Sequence, residues 1–353
     1  MVGNLKKNEI SVGIIGAGYI AQQNHIPAYL MNPRTRIVGV ADPDEAKLEE
    51  VKKRFGVQKL FPDYTQLLEE SLDAVSICVP TKLHSKITVE SASRGVHVLC
   101  EKPIALTLNE ATEMITACEK NDVKLMIGFN YRFIKTHQEA RKMIANGRIG
   151  KPYFIHAQFA SLGPYKSLEK MRNSFYFDPK SGGGVMFDSG SHLFDLLRWY
   201  FGEVEMVQAS KGTYVETVPV DDVACVSLKF KNGRVGCLTC MWTRIESWSG
   251  MGNEGFVKVI GDEGKIVASL FSPSIRYFSK KSIICKITGE VELTPSGFDP
   301  KQPMDPLQRS WRNEINAFVK AVRTNKEVPV TGYDGKRALE LVLEAYKSAG
   351  MQD

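Results

Sequence analysis

Ile10-Ser11-Val12-Gly13-Ile14-Ile15-Gly16-Ala17-Gly18-Tyr19-Ile20-Ala21 decides the fold. Ile10 to Ile15 reads as a buried strand, and the pattern after the glycines reads as a helix to about Met31. Gly16 permits a tight turn. The missing side chain at Gly18 lets a phosphate group approach the backbone, and Ala21 lets the helix lie close on the sheet. A helix that starts there offers free N–H groups and the positive end of its dipole to an anion.

The same alternation continues outward from this turn. Strands are expected at Arg36–Ala41, Ala74–Val79, Val96–Leu99 and Lys124–Gly128. Helices are expected at Asp44–Phe55, Ser85–Arg94 and Leu108–Lys120. Fully apolar strands separated by amphipathic helices predict an α/β domain, a parallel sheet covered on both faces. Asp42 closes the second strand 21 residues after Ala21, close to the spacing of the carboxylate that accepts ribose hydroxyls in dinucleotide sites. A carboxylate there repels a 2′-phosphate, and no arginine follows in Pro43-Asp44-Glu45-Ala46-Lys47. The expected cofactor is therefore NAD, with NADP the alternative.

After Asn130 the rhythm changes. One helix, Phe133–Asn146, is followed by alternating strands at Tyr153–Phe159, Val204–Tyr214, Val223–Phe230, Val235–Thr243, Phe256–Ile260 and Ile275–Ile287. Asn232-Gly233 signals a tight hairpin, since both residues tolerate positive φ. A helix at Ser189–Phe201 follows Ser181-Gly182-Gly183-Gly184, and two more are expected at Asn313–Arg323 and Gly335–Ser348. The fold class is thus an N-terminal Rossmann-type parallel sheet over residues 1–129. Residues 130–353 form an α+β domain with a large open, mostly antiparallel sheet, and the C-terminal helices return to the first domain.

A chain of 353 residues suits two domains. Its net charge of +6 is dispersed, with only Lys6-Lys7 and Lys280-Lys281 as short clusters. That pattern argues against nucleic acid and for anionic small molecules as partners. Seven cysteines, an odd number, several inside apolar runs such as that around Cys78, suggest a reducing compartment. Cys237 and Cys240 have a metal-like spacing but lie in a strand pattern with no second pair, so no metal is expected. With no leader and no membrane-length apolar run, the expectation is a cytoplasmic protein away from membranes.

Four segments carry the candidate chemistry: Val79-Pro80-Thr81-Lys82-Leu83-His84, Glu101-Lys102-Pro103, Gly128-Phe129-Asn130-Tyr131-Arg132 and Asp188-Ser189-Gly190-Ser191-His192. The first three follow strands, at the ends where open α/β sheets place ligands. Lys102, near an oxidised and cationic nicotinamide, would share its proton more readily than a free lysine. Asp188 and His192, four apart, fall on one helix face, and an imidazole oriented by a carboxylate suits a general base. Asp195 reads as a structural partner. His25 reads as structural too, paired with Pro27.

With these segments in place the chain resembles the glucose–fructose oxidoreductase/inositol dehydrogenase group (Gfo/Idh/MocA) over nearly its whole length. The resemblance rests on Gly16 to Ala21, Glu101-Lys102-Pro103, Gly128 to Arg132 and Gly182 to His192. It implies a catalytic set of Lys102, Asp188 and His192. It also implies a dinucleotide site of Gly16, Gly18, Tyr19, Ile20 and Asp42, with Pro80, His84, Glu101, Lys102 and Asn130 adding contacts. Thr81 departs from the asparagine usual after that proline. The implied reaction moves a hydride between a secondary hydroxyl of a sugar, inositol or related polyol and NAD. Homodimers or homotetramers built on the C-terminal sheet are implied as well. Arg132, Tyr165, Arg172 and Tyr176, three of them in the 162–181 segment expected to cover the site, are the candidate substrate contacts. The competing readings are an NADP-linked sugar or dihydrodiol oxidoreductase, and a regulator that senses NAD without turnover.

Overall fold

The structure is a computed structural model that describes residues 9–167, 174–214, 218–242, 253–295 and 306–350. It divides into two compact units, residues 1–129 with 311–339, and residues 130–310 with 340–353.

The first unit holds β1 (Ile10–Ile15), α1 (Ile26–Met31), β2 (Thr35–Ala41), α2 (Glu45–Phe55), β3 (Leu60–Phe61), α3 (Tyr64–Leu67), β4 (Ala74–Ile77), α4 (His84–Ser93), β5 (His97–Cys100), α5 (Leu108–Lys120) and β6 (Leu125–Ile127). The strands pair in the order β3-β2-β1-β4-β5-β6, and every pairing is parallel. Every residue of β1 and β4 is buried, as strands covered on both faces must be. Helix starts follow capping chemistry. Asp44 accepts the Ala46 and Lys47 N–H groups at α2, and Thr107 with Glu110 forms a capping box at α5. The order reverses between β1 and β4, so the crevice at their carboxyl ends is the topological switch point where open sheets bind ligands. The chain returns to this sheet late, with Thr331 bridging antiparallel to Met126 on the β6 edge.

The second unit holds α6 (Lys135–Ala145), β7 (Pro152–Ser161), α7 (Ser191–Phe201), β8 (Val204–Gly212), β9 (Val223–Phe230), β10 (Val235–Trp242), β11 (Asn253–Gly261), β12 (Gly264–Ser269), β13 (Ile275–Ser279), α8 (Ile283–Thr288) and β14 (Val291–Leu293). Two helices follow, α9 (Pro306–Thr324) and α10 (Gly332–Ser348), and the division between the units falls within them. The strand order is β14-β13-β12-β11-β7-β10-β9-β8. Only the central β7–β10 pair is parallel. One face of β9 and β10 is buried at alternate residues, the pattern of a sheet packed on one side.

One local expectation fails. The Ile275–Ile287 run is not one strand. β13 stops at Ser279, and the Ser282 hydroxyl caps α8 by accepting the Cys285 N–H, so a cap overrides β-branched propensity. The hairpin expected at Asn232-Gly233 joins β9 to β10, although Asn232 itself does not take positive φ. The hairpin loop is Lys231-Asn232-Gly233, only Gly233 is left-handed (φ +80°), and the Asn232 amide is spent on the Phe201 carbonyl, 2.7 Å away. β3, α3, β12 and β14 fall in stretches where no periodic pattern was read.

Candidate functional site

The glycine turn is built as its sequence requires. Gly16 has φ +98°, and a Cβ there would lie 2.4 Å from the Cys78 carbonyl, so the loops after β1 and β4 touch only because no side chain intervenes. At Gly18 a Cβ would meet nothing within 4 Å. No protein atom demands glycine at that point, which leaves an open cradle where a pyrophosphate would lie. The helix beyond opens with a wide turn over Ala21–His25, where the Ile26 N–H reaches the Ala21 carbonyl five residues back. Its first N–H groups have no acceptor inside the helix. Tyr19 is 77% exposed beside them. The Asp42 carboxylate is latched to the same turn, accepting Ala17 N–H at 2.7 Å and Asp44 N–H at 2.9 Å. Each oxygen keeps a second lone pair that can accept a ribose hydroxyl. The residues thus fit a dinucleotide.

Lys102 stands just past β5, joined to Pro103 by a cis peptide. Its backbone N–H donates to Glu101 Oε2 at 3.1 Å. Glu101 Oε1 lies 2.9 Å from Nε2 of His25, whose Nδ1 is 2.8 Å from the Ser76 hydroxyl. Burial works against a proton on His25, while the hydrogen bond and charge of the Glu101 carboxylate favour it. Burial works the opposite way on Glu101, yet the hydrogen bond and charge of His25 hold its carboxyl below the usual range. His84 is also buried, with Nδ1 2.9 Å from the Pro103 carbonyl and Nε2 2.9 Å from the Val79 carbonyl. The neutral ring donates to one of these carbonyls at a time, and it lies between the Lys102 turn and the loop after β4, where Pro80 precedes a short turn from Thr81 to Leu83.

In the second unit the glycine run sets the start of a helix. Gly184 has φ +109°, and a Cβ there would fall 2.6 Å from Asp221 Oδ1. Asp221 accepts the Met186 N–H at 3.0 Å and the Tyr346 hydroxyl at 2.6 Å, so the turn is locked from two sides. Burial raises the Asp221 pKa against those hydrogen bonds. The helix opens with a wide turn over Met186–Gly190 before α7, earlier than the sequence pattern suggests. Asp188 lies in that turn, its Oδ2 accepting the Ser189 hydroxyl at 3.2 Å. His192, in the first turn of α7, is buried with its ring stacked on Tyr131, centroids 4.1 Å apart and planes 13° from parallel. Asn130 is buried with Nδ2 donating to the Ser310 hydroxyl at 2.8 Å, and Oδ1 has no hydrogen-bond partner among the described residues.

The candidate substrate contacts that are described have partners within the protein. The Arg132 guanidinium forms a buried two-point pair with Asp195, Nε to Oδ2 at 2.7 Å, so it is not the open cation an anionic substrate needs, and Asp195 is its structural partner. Tyr165 is buried with its hydroxyl donating to Asp222 at 3.1 Å and its ring against Phe177 and Trp242. Tyr176 joins the same aromatic group, 6.2 Å from Trp242. Arg172 lies outside the described residues. Sequence reasoning missed Tyr131, Asp221 and the true partners of His25. The adjacent acids Asp221-Asp222, set between apolar residues, were the one available signal.

A parallel sheet with a phosphate-accepting turn at its switch point defines a dinucleotide-binding α/β protein. Residues 10–129 match the family described as an oxidoreductase family with an NAD-binding Rossmann fold, and residues 137–267 match the GFO/IDH/MocA C-terminal domain. A myo-inositol 2-dehydrogenase from Thermotoga maritima is 30% identical over 348 residues, 96% of this chain and 95% of that one. A D-xylose 1-dehydrogenase (NADP(+)) from Haloferax volcanii is 26% identical, covering 96% of each chain. A levoglucosan dehydrogenase solved with NADH and levoglucosan shares the fold with a TM-score of 0.84 at 23% identity, over 97% of each chain. The chain belongs to the Gfo/Idh/MocA oxidoreductase family.

Proposed function

We propose that this protein is an NAD-dependent dehydrogenase acting on a secondary hydroxyl of a sugar, inositol or related polyol, with Lys102, Asp188 and His192 as its acid–base residues. The observation that carries the reading is the open cradle at Gly18 beside the latched Asp42 carboxylate. It comes in a chain whose relatives include a myo-inositol 2-dehydrogenase. Gly16, Gly18, Tyr19, Ile20 and Asp42 hold the dinucleotide, with Pro80, His84, Glu101 and Asn130 shaping its surroundings. The bound nicotinamide supplies the hydride acceptor. His192 takes the hydroxyl proton, Lys102 stabilises charge developing on that oxygen, and Asp188 orients the imidazole or the substrate.

On this reading residues 1–129 bind the cofactor and residues 130–353 bind substrate and build a homodimer or homotetramer through the open sheet face. Half-exposed Phe154, Phe256 and Ile260 on that face support the assembly. Seven free thiols support a reducing, cytoplasmic setting. Among the described residues no helix is long and apolar enough to cross a membrane, and the small molecules named for the relatives, rather than nucleic acid, support a small-molecule partner.

The test is the rise of NADH absorbance with myo-inositol, D-xylose, D-apiose, levoglucosan and uronates, each with NAD+ and NADP+. Turnover of one of them with NAD+ is expected. NADH binding with no turnover across the panel would favour the NAD sensor instead. Lys102→Met and His192→Ala should each lower kcat by at least roughly a hundredfold; near-normal turnover in both would remove them from the chemistry.

A further inference from the structure

His25, in the helix that follows the glycine turn, touches the segment that carries Lys102. Its ring joins three elements, with Ser76 of β4 on Nδ1 at 2.8 Å and Glu101 beyond β5 on Nε2 at 2.9 Å. The Tyr29 hydroxyl, on the same helix, donates to Ser76 Oγ at 3.4 Å, so the imidazole is gripped on both sides. The side chain is fully buried, and the Glu101 side chain is 11% exposed. A carboxylate so placed is costly unless a counter-charge and hydrogen bonds satisfy it.

We propose that His25 is a positioning residue for the Lys102 turn. As the buried counter-ion of Glu101 it fixes the carboxylate whose other oxygen holds the Lys102 N–H. It also shares the charge of that carboxylate, so that Lys102 does not face it alone. The inference rests on the reading of Lys102 as an acid–base residue.

The charge balance around Glu101 supports it. The groups facing the pair are the Cys78 and Cys100 thiols, the His84 imidazole, the Tyr29 hydroxyl and Lys102. Burial pushes both thiols and the phenol up and the His84 imidazole down, so these four are neutral near pH 7. His25 and Lys102 are then the two cations acting on one carboxylate. Without the charge of His25, Lys102 is the one remaining cation among these groups that faces the Glu101 carboxylate.

His25→Gln keeps a hydrogen-bonding side chain and removes the charge. Turnover would be followed with NAD+ and myo-inositol, or with the panel sugar that is turned over. The expected result is a fall in kcat of roughly tenfold at pH 7.5, a kcat–pH profile that no longer superimposes on that of the parent, and NADH affinity within about twofold of the parent. Ser76→Ala, which loosens the ring but keeps its charge, should lower kcat without moving the profile, and it serves where His25→Gln does not fold. An imidazole nitrogen signal from His25 should show both nitrogens protonated at pH 8 in the parent. Unchanged kcat and profile in folded, NADH-binding variants, or a neutral His25 ring at pH 8, would overturn the proposal. Loss of turnover in Lys102→Met with those results sinks this inference alone, whereas retained turnover in Lys102→Met sinks the reading of Lys102 and this inference with it.

Discussion

The Tyr131 ring lies flat on the His192 imidazole, 4.1 Å between centroids. Tyr131 follows Asn130 at the start of the second unit, and His192 opens α7, so the stack joins two segments 61 positions apart. A parallel aromatic neighbour fixes the plane of the imidazole without consuming either ring nitrogen. Tyr131→Ala should therefore lower kcat by about tenfold, as loss of orientation does, while Tyr131→Phe should stay within about twofold because the stacking surface survives. Steady-state kinetics of the two variants decide it; equal losses would place the effect on the hydroxyl instead.

Asp42 buttresses the glycine turn, and on the proposed reading it also accepts a ribose 2′-hydroxyl. Lys47 Nζ lies 3.8 Å from its Oδ1. Asp42→Ser removes the charge that repels a 2′-phosphate and leaves that ammonium, which also pairs with Asp44 at 3.4 Å, beside it. The ratio of NADPH to NADH affinity should rise by at least about tenfold, one charge contact being worth roughly 1.4 kcal/mol or more. Fluorescence titration with both cofactors measures it. An unchanged ratio would confine Asp42 to a structural role.

Gly184 has both a left-handed backbone and no room for a Cβ. Gly184→Ala should cost about 2–4 kcal/mol, combining backbone strain with the clash against Asp221. Urea denaturation checks the magnitude. A loss below about 0.5 kcal/mol would mean that the turn relaxes freely.

His137 is buried, with Nδ1 3.0 Å from the Tyr200 hydroxyl, and burial lowers its pKa to about 3. Below about pH 6.5 the unfolded chain takes up a proton at this site that the folded chain refuses until near pH 3, so stability falls as pH falls through that window. His137→Gln should cost stability at pH 7, since the hydrogen bond is imperfectly replaced, yet flatten the acid limb by up to about 1.4 kcal/mol per pH unit. Urea midpoints at pH 7, 6 and 5 compare the slopes; parallel slopes would place the acid sensitivity elsewhere.

Most elements were legible because local physics specifies them. The run from Ile10 to Ile15 is apolar throughout and ends in glycines, and Leu108–Lys120 carries its own capping box, so both appear where the pattern puts them. The stretch Leu60–Leu67 escaped because a two-residue strand and a single helical turn have no period to read. Ile283, Ile284 and Ile287 misled for another reason. They are 74%, 63% and 79% exposed on α8, and an apolar side chain held by no core carries no signal about the backbone beneath it.

The site divides in the same way. Gly16, Gly18 and Asp42 could be read from spacing, since the glycine turn is local and the carboxylate follows it at a characteristic interval. Lys102, Asp188 and His192 stood out as polar residues at element boundaries. The sequence by itself could not say that Arg132 spends its guanidinium on Asp195, that Tyr165 donates to Asp222, or that His25 reaches Ser76 and Glu101. Those partners lie 51 to 76 positions away. Residue type fixes which groups can bond, but burial forces each buried charge and donor to find a partner, and only the tertiary fold chooses which.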